Sequence, residues 1–344
     1  MKRRIVLSLI AIVSIALIVI FAGCVEEKAP SKMTTLYMGC QPINHQTAAM
    51  LASEKGWWEE DLAKFGIEKV EMKEFSSGPP EMHAMLAGDL DVAYVGMAPP
   101  ISAMYEGLDA KLIAGVETRG DALVIRSDLA DKYNGPHSLK GMSIATYPPG
   151  SIPHTILSKW LLDNGIDPEK DVDMKAMGPS DAVTAIGAKA IDAAFICTPY
   201  PSMIEEAGYG RIVTVGDEMW PNHACCCLVA SGEMISEHPD MVKQIIKTHI
   251  RATDYINKHP EEAGEVFGKR YNINVSVIMH SLNVTGMCWI HDPHLEIDDG
   301  LEYARVIYEL NRERYESMGV KVLEKEDIFD TSFYDEITNK NELK

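Results

Sequence analysis

Cysteine and histidine side chains carry the most reactive groups in this sequence, and they fall in two clusters. Three cysteines are consecutive at Cys225–Cys227, and Cys288, His291 and His294 form a C-x2-H-x2-H spacing. Thiolates and imidazoles bind metal ions, but this spacing is not a recognised zinc pattern, and Pro293 interrupts any helix that would align the ligands. The sequence therefore predicts a loop with incidental histidines at the second cluster, and no metal site.

The first cluster lies in the apolar stretch CCCLVA, residues 225 to 230, which predicts a strand. Alternation along a strand places Cys225 and Cys227 on one face and Cys226 on the other, so the three thiols would not share one role. The irregular spacing of the cysteines indicates no compact disulfide framework. Free cysteine commonly packs as a small apolar residue, and that role is predicted here.

A stretch that occurs twice positions the remaining polar residues. Residues 76–100 read SSGPPEMHAMLAGDLDVAYVGMAPP, and residues 177–201 read MGPSDAVTAIGAKAIDAAFICTPYP. At an offset of 101 residues, Asp91 falls on Asp192 and Pro100 on Pro201. Each copy predicts a Gly/Pro turn, a short amphipathic helix, a buried strand and a second turn. Ligands of open α/β sheets bind beyond strand ends and at helix N-termini, so the two copies predict two ligand-facing surfaces.

Length and charge limit the classes of function. A chain of 344 residues with 46% hydrophobic residues fits a globular protein of two domains. Its net charge of −19 excludes nucleic acid as an expected partner, because binding of phosphates requires a basic surface. The same acidity gives anions no long-range attraction, so any anion site must be local.

The N-terminus has the pattern of a targeting segment. Basic residues at positions 2–4 precede an uncharged apolar run over residues 5–23, which ends in Phe-Ala-Gly and then Cys24. Small residues before a cysteine resemble a lipobox, in which the cysteine is lipidated and becomes the first residue of the mature chain. We therefore predict a signal peptide over residues 1–24 and a polar linker over 25–33. An uncleaved membrane anchor is the alternative, since the apolar run is long enough to span a bilayer.

Residues beyond the second copy change in character. A helix is predicted from Pro239 to about Asn257, further helix from 260 to 269, and another from 301 to 318, where apolar residues are spaced for one face. This mostly helical C-terminal third must pack against the first part of the chain.

In order along the chain, these segments resemble a known family. The segments are AGDLDVAYVGMAPP, SLKGMSIATYPPGSIPH, LLDNGIDPEKDV, AIDAAFICTPYP and ISEHPDMVKQIIKTHIRATDYINKHPEEA. They resemble the extracytoplasmic solute-binding proteins of ABC importers for nitrate, aliphatic sulfonates, taurine and thiamine pyrimidine precursors. The resemblance implies an α/β periplasmic-binding-protein type II fold of two lobes, with mixed five-stranded sheets flanked by helices and a two-strand hinge. It implies a first lobe of residues 34–121 and 230–330 and a second lobe of 122–229.

The resemblance also implies a set of ligand-facing loops at the predicted strand ends. Glycine and small hydroxyl residues before a helix leave backbone N–H groups free to bind sulfonate, nitrate or carboxylate oxygens without a charged side chain. For Ser77 and Ser151, simple capping of a helix is the alternative role. The implied ligand-binding residues are Pro42, His45, Ser76, Ser77, Gly78, Gly96, Met97, Ala98, Pro149, Gly150, Ser151, Thr198 and Tyr200.

The cysteine run raises an enzyme as the alternative. The fungal thiamine-pyrimidine synthase, which shares this fold, resembles the chain in its own cysteine cluster. Its pattern also has a lysine and a histidine at the end of the strand equivalent to Val92–Val95, where this chain has Gly96, Met97 and Ala98. Without the lysine no Schiff base to a pyridoxal cofactor can form. The sequence therefore predicts no catalytic residues and no cofactor, with binding or synthesis of a thiamine pyrimidine precursor as the alternative function.

The predicted function is that of a receptor held on the outer face of the cell membrane by a lipid on Cys24. Its partners would be a small, anionic solute, an ABC permease and the ATPase of that permease. A monomer is expected. A receptor that takes up metal ions through the cysteines and histidines forms a third class of function, which stoichiometric metal in the purified protein would indicate.

Overall fold

The computed structural model describes residues 33–342. The predicted leader, its Cys24 and the linker up to residue 32 lie outside the described residues. Among residues 33–342, no helix combines the length and the apolar character needed to cross a membrane.

Two mixed sheets form the centre of the described chain. In the first sheet the strand order is β11-β4-β10-β3-β1-β2, and in the second it is β7-β6-β8-β5-β9. The second sheet therefore has the expected five strands, whereas the first has a sixth, the two-residue β11. The strands are β1 Thr35–Cys40, β2 Lys69–Glu74, β3 Val92–Gly96, β4 Ala110–Thr118, β5 Asp121–Arg126, β6 Ser143–Thr146, β7 Asp173–Ala176, β8 Ala193–Cys197, β9 Gly210–Val215, β10 Ala224–Ser231 and β11 Cys288–Trp289.

Helices flank both sheets and cover their faces. They are α1 Thr47–Glu54, α2 Trp57–Leu62, α3 Gly78–Leu86, α4 Ala98–Tyr105, α5 Ser127–Ala130, α6 Ile152–Asp163, α7 Pro179–Gly187, α8 Tyr200–Glu206, α9 Gly216–Met219, α10 Gly232–Glu237, α11 Pro239–Lys258, α12 Pro260–Tyr271, α13 Val275–Thr285, α14 Ile297–Leu310, α15 Arg312–Met318, α16 Lys325–Ile328 and α17 Ser332–Glu342. Short helical turns lie at Asn44–Gln46, Ala63–Phe65, Pro136–Leu139 and Pro293–Glu296. The single helix predicted over 301–318 is thus divided between α14 and α15.

The two copies of the repeated stretch occupy equivalent places in the two sheets. The first copy folds as α3-β3-α4 and the second as α7-β8-α8, which confirms the predicted order of turn, helix, strand and turn. Strands β3 and β8 lie inside their sheets, and their apolar residues are buried. Continuous apolar runs are expected for strands that are covered on both faces.

The chain passes between the sheets twice, as the predicted two-strand hinge requires. It leaves the first sheet after β4, through Arg119 and Gly120, and it returns through residues 220–223 into β10. Since β10 belongs to the first sheet, the expected lobe boundary at residues 229 and 230 falls inside this strand. We use "first lobe" for the first sheet with its helices and "second lobe" for the second sheet with its helices.

The C-terminal helices pack against the first lobe, as predicted. The 20-residue α11 begins at Pro239 and lies against α1 and α2 with the strongly apolar face that its sequence gives it. Helix α14 packs on α4, and α17 packs on α11. These contacts make the first lobe the larger of the two and fix the strands from which its side of the cleft is built.

Candidate functional site

A cavity of about 20 Å³ lies between the two lobes, at the strand ends and helix starts marked by the repeat. On the first lobe its lining, here called the first wall, consists of Gln41, Ile43, Gly78, Gly96, Pro99, Cys225 and Cys226. On the second lobe its lining, here called the second wall, consists of Tyr147, Ser151, Ile152, Pro153 and Cys197. The cavity volume is that of about one water molecule.

Direct hydrogen bonds join the two lobes beside this cavity. The Tyr200 hydroxyl donates to the Pro42 carbonyl at 2.7 Å, and the Thr198 hydroxyl donates to Asn44 Oδ1 at 2.7 Å. His45 Nε2 lies 3.0 Å from Thr198 Oγ1, which is positioned to accept its proton. The lobes therefore meet through side chains from the loop after β1 and from the start of α8.

The sequence-predicted residues fall into five groups in the structure. Gly78, Gly96 and Ser151 line the cavity, and Pro42, His45, Thr198 and Tyr200 take part in the contacts between the lobes. Met97 and Ala98 are buried at the start of α4 without lining the cavity, and Ser76 is exposed while Ser77 is buried. Pro149 and Gly150 line a separate groove of about 130 Å³, together with residues of α3 and α4.

The two predicted serines differ in their local bonding. Ser151 precedes α6 and caps it, since its hydroxyl accepts from the His154 N–H at 3.4 Å. Ser77 precedes α3 in an extended conformation and forms no such cap. The alternative of simple capping therefore describes Ser151, whereas the structure gives Ser77 no capping role.

Cys225 and Cys226 of the first wall form a buried cluster with His45 and Glu117, which lie behind the wall; each of the four residues is at most 1% exposed. His45 Nδ1 lies 2.6 Å from Glu117 Oε1, 3.5 Å from Cys225 Sγ and 3.8 Å from Cys226 Sγ. The four ligand atoms of these side chains all lie within 4.8 Å of one another. A thiol pair, an imidazole and a carboxylate thus converge at one point of the cleft.

An irregularity in β10 brings both thiols to the same side. Cys226 lies opposite Gly96 of β3 and Glu117 of β4, but the register against β4 shifts on either side of Cys226. Such a bulge interrupts the alternation of side chains along the strand. The prediction that Cys225 and Cys226 face opposite sides is therefore wrong, while Cys227 has a different contact, its thiol lying 3.6 Å from the Val95 carbonyl.

The first crossing between the lobes runs against His45. Gly120 has φ +95°, and a Cβ atom on it would lie 2.6 Å from His45 Nε2. Glycine is therefore required at this position both by the backbone conformation and by the close approach of the imidazole.

Burial and charge act in opposite directions on the cluster. Burial lowers the pKa of His45, but the neighbouring Glu117 carboxylate and the Cys226 thiol outweigh it, and the pKa lies well above its ordinary value. Burial raises the pKa of Glu81 and of Glu296, both of which interact electrostatically with Cys226. Burial also raises the pKa of Cys225 well above its ordinary value. Burial therefore favours the protonated forms of Glu81, Glu296 and the Cys225 thiol.

Sequence reasoning missed Glu117 and the connection of His45 to the cysteines. Glu117 carries a signal, because it is a charged residue near the end of the otherwise apolar strand KLIAGVET. Gln41 was also missed; its side-chain amide donates to Glu81 Oε2 at 2.8 Å and holds that carboxyl beside the first wall.

Comparison with known proteins identifies relatives over most of the chain. The profile of the NMT1-like family matches residues 29–268. A protein of Bacillus subtilis (strain 168), whose name assigns it to the binding of aliphatic sulfonates, is 29% identical over 281 residues, which cover 80% of this chain and 82% of its own.

Solved structures share the fold. The alkanesulfonate-binding protein SsuA from Xanthomonas axonopodis pv. citri, bound to MOPS, has a TM-score of 0.71 at 19% identity and covers 86% of this chain and 96% of its own. The periplasmic nitrate-binding protein NrtA from Synechocystis PCC 6803 has a TM-score of 0.73 at 15% identity and covers 91% of this chain and 90% of its own. The two-lobed periplasmic-binding-protein fold implied by the sequence is thereby confirmed.

Proposed function

The chain belongs to the NMT1-like family, and from that membership we propose that it is the solute-binding component of an ABC importer. In this function it captures a small solute between its lobes and delivers it to a permease and the ATPase of that permease. The observation that carries the proposal is the cavity between the lobes, which loops of both lobes line at their strand ends. Relatives that are named as solute-binding proteins support the same function.

We propose a small anion of the nitrate, sulfonate or taurine class as the solute. Gly78 and Ser151 at the starts of α3 and α6 line the cavity, and helix N-termini favour negative charge through their free N–H groups. No lysine or arginine lines the cavity among the described residues, so backbone N–H groups would supply the contacts. Binding or synthesis of a thiamine pyrimidine precursor is the alternative, and it is an outcome of the experiment below.

Closure of the lobes is the proposed mechanism. A cavity of about 20 Å³ is smaller than a sulfonate group, so the lobes must part before such a solute enters. The bonds from Tyr200 to Pro42 and from Thr198 to Asn44 join the lobes directly and would form again as the lobes close around the solute. The solute would stabilise the closed form through contacts that both lobes provide together.

A screen of candidate solutes tests this function. The protein without residues 1–24 is heated alone and with nitrate, an alkanesulfonate, taurine, bicarbonate or a thiamine pyrimidine precursor. A solute that binds the folded state raises the melting temperature, and calorimetry then gives its affinity. We expect one of the anions to bind. Binding of the pyrimidine precursor alone would replace the anion in the proposal, and a cofactor absorption band in the purified protein would favour the enzyme.

The proposed location is the outer face of the membrane, with the lipid on Cys24 as the anchor and the protein as a monomer. Replacing Cys24 with serine should release the protein from membranes or leave the leader uncleaved, because this cysteine is the proposed lipidation site. Fractionation of cells and the mass of the mature chain test this prediction. A cleaved Cys24→Ser protein that still sediments with membranes would contradict the lipid anchor.

A further inference from the structure

The cluster behind the first wall has the composition of a metal site. His45, Glu117, Cys225 and Cys226 offer one nitrogen, one carboxylate oxygen and two sulfur atoms, and these atoms lie within 4.8 Å of one another. Thiolate, imidazole and carboxylate are the three ligand types that Zn²⁺ takes in proteins, usually four in a tetrahedron. The soft sulfur ligands exclude Mg²⁺ and Ca²⁺ as favoured ions, because these prefer oxygen ligands.

The distances fit a tetrahedral site with one small movement. Bond lengths of about 2.3 Å for Zn–S and about 2.0 Å for Zn–N place a nitrogen and a sulfur ligand roughly 3.5 Å apart. The observed distances from His45 Nδ1 are 3.5 Å to Cys225 Sγ and 3.8 Å to Cys226 Sγ. Glu117 Oε1, at 2.6 Å from the same nitrogen, would move outward by less than about 1 Å to become a ligand.

The second lobe orients the histidine for this role. Thr198 Oγ1 donates its proton to Asn44 Oδ1, so toward His45 Nε2 it can only accept. In the tautomer with its proton on Nε2, which this contact accommodates, Nδ1 is free to bind a cation between the two thiols and the carboxylate. A metal-binding histidine commonly has its other ring nitrogen fixed in this way by a second group.

The buried carboxylate of Glu117 has few polar partners. Neither of its oxygens receives a hydrogen bond of good geometry within the described residues, although the side chain is 0% exposed, and its close contact is the ion pair with His45. A buried carboxylate without hydrogen bonds is strongly destabilising unless it is paired or coordinates a metal. Oε2 accepts no hydrogen bond within the described residues, so the carboxylate keeps capacity to coordinate a cation beyond its pairing with His45.

We infer that His45, Glu117, Cys225 and Cys226 bind a divalent, thiophilic cation of the Zn²⁺ class at the base of the cleft. All four ligands belong to strands or loops of the first lobe, and the second lobe contributes the contact of Thr198 with His45. Cys225 and Cys226 also line the cavity, which places the cation in reach of a bound solute. The prediction of no metal site concerned the C-x2-H-x2-H spacing at residues 288–294, whereas the inferred cation site is a different cluster, whose ligands lie far apart in the chain. The inference goes beyond the proposed function and is tested without any solute.

Metal titration of the full-length chain in detergent tests the site. The protein is treated with a chelator, reduced with a phosphine, and titrated with Zn²⁺ in competition with a chromophoric chelator, and separately with Co²⁺. We expect one equivalent of Zn²⁺, and with Co²⁺ a thiolate-to-metal charge-transfer band and ligand-field bands of tetrahedral intensity. Binding no tighter than that of scattered surface carboxylates, or a spectrum without the charge-transfer band, would overturn the inference.

Single substitutions locate the ligands. Cys225→Ser and Cys226→Ser should each lower Zn²⁺ affinity by more than about 100-fold, which exceeds the effect of losing a supporting group. Cys227→Ser is the matched control, since Cys227 is buried in the same strand but its thiol lies at the Val95 carbonyl. Cys288→Ser is a control for an exposed thiol. Equal losses in the controls, or full affinity in Cys225→Ser and Cys226→Ser, would show that the cation binds elsewhere.

Glu117→Gln covers the case in which a cysteine variant fails to fold. It should weaken Zn²⁺ binding, while the charge-transfer band should persist at saturating Co²⁺ because both thiolates remain. Circular dichroism of each metal-free variant verifies that its fold is retained. Unchanged Zn²⁺ affinity in a folded Glu117→Gln protein would remove the carboxylate from the site and overturn the four-ligand assignment.

Discussion

The first and second walls of the cleft bury different chemical groups. The first wall is supported by charged or ionisable side chains, with His45 paired to Glu117 and Gln41 bonded to Glu81. The second wall presents hydroxyl groups and a helix start, with Ser151 capping α6 and Thr198 at its edge. Ionisable side chains thus lie directly behind the first wall, whereas hydroxyl groups and the start of α6 face the cavity from the second.

Removing His45, the cationic partner of Glu117 behind the first wall, should have the largest effect on stability. His45→Ala leaves the Glu117 carboxylate buried and unpaired, and loss of one partner of a buried pair lowers stability by about 3–5 kcal/mol. Tyr200→Phe is the comparison variant at the contact between the lobes. It should lower stability by about 1 kcal/mol, because it removes one hydrogen bond to Pro42. Urea unfolding in metal-free buffer measures both. Equal losses in the two variants would break the contrast between the walls.

A histidine deeper in the first lobe should give stability a pH dependence of intermediate size. His249 Nε2 donates to the Gly115 carbonyl at 2.7 Å, and its Nδ1 lies 3.0 Å from the Tyr94 hydroxyl, with Thr253 also near. Burial, aided by the charge of His291 and opposed by the Gly115 carbonyl, lowers the pKa of His249 to about 4. His249 is therefore neutral in the folded protein near pH 7.

The sign of this pH dependence follows from the lowered pKa. Between the ordinary histidine pKa of about 6.5 and pH 4, His249 is protonated in the unfolded chain but stays neutral in the folded chain. Protonation therefore stabilises the unfolded chain, and stability falls as pH decreases from about 6.5 toward 4. The loss from His249 should reach about 3 kcal/mol at pH 4 and be absent above pH 7. His249→Gln, measured by urea unfolding over this range, should flatten the profile. An unchanged profile in that variant would assign the titration to other groups.

The serines before α3 and α6 test whether both walls bind the same solute. Each of Ser77→Ala and Ser151→Ala should weaken binding about tenfold to a hundredfold, since a hydrogen bond to a charged group contributes about 1.5–3 kcal/mol. Ser151→Ala should also lower stability by about 1 kcal/mol because it removes a cap, whereas Ser77→Ala should lower it less. Calorimetry with the solute found in the screen, together with thermal unfolding, measures both effects. If one serine alone matters for affinity, the solute is held by a single wall.

Patterns among neighbouring residues predicted the fold. They could not predict the contacts among His45, Glu117 and the pair Cys225 and Cys226, because these three parts of the cluster are distant in the chain. The repeated stretch predicted α3-β3-α4 and α7-β8-α8 because apolar period and Gly/Pro turns are local properties. The meeting of His45 with Cys225 depends on residues 180 positions apart, and the shared face of Cys225 and Cys226 depends on the register of β10 against β4. Alternation within one strand carries no information about such a bulge.

The need for long-range information also explains why some of the predicted site residues meet between the lobes and others do not. The loops after β1 and β8 were correctly located at strand ends, so Pro42, His45, Thr198 and Tyr200 meet between the lobes. Pro149 and Gly150 precede α6 in the same manner, yet they line a different groove together with Ser102 of α4, which lies far from them in the chain.

The place of β10 in the first sheet has a consequence for the order of folding. Strands β5 to β9 are contiguous in the chain, so the second lobe can form as soon as residue 215 is available. In the first sheet β4 pairs with β10 and β11, which lie more than 100 residues further along the chain. Strand β4 therefore stays unpaired until those strands are available. Strands that lie far apart in the chain pair slowly, and a strand edge that is still unpaired promotes aggregation. We therefore expect the second lobe to be the early folding unit, with β4 exposed as an open edge until β10 pairs with it.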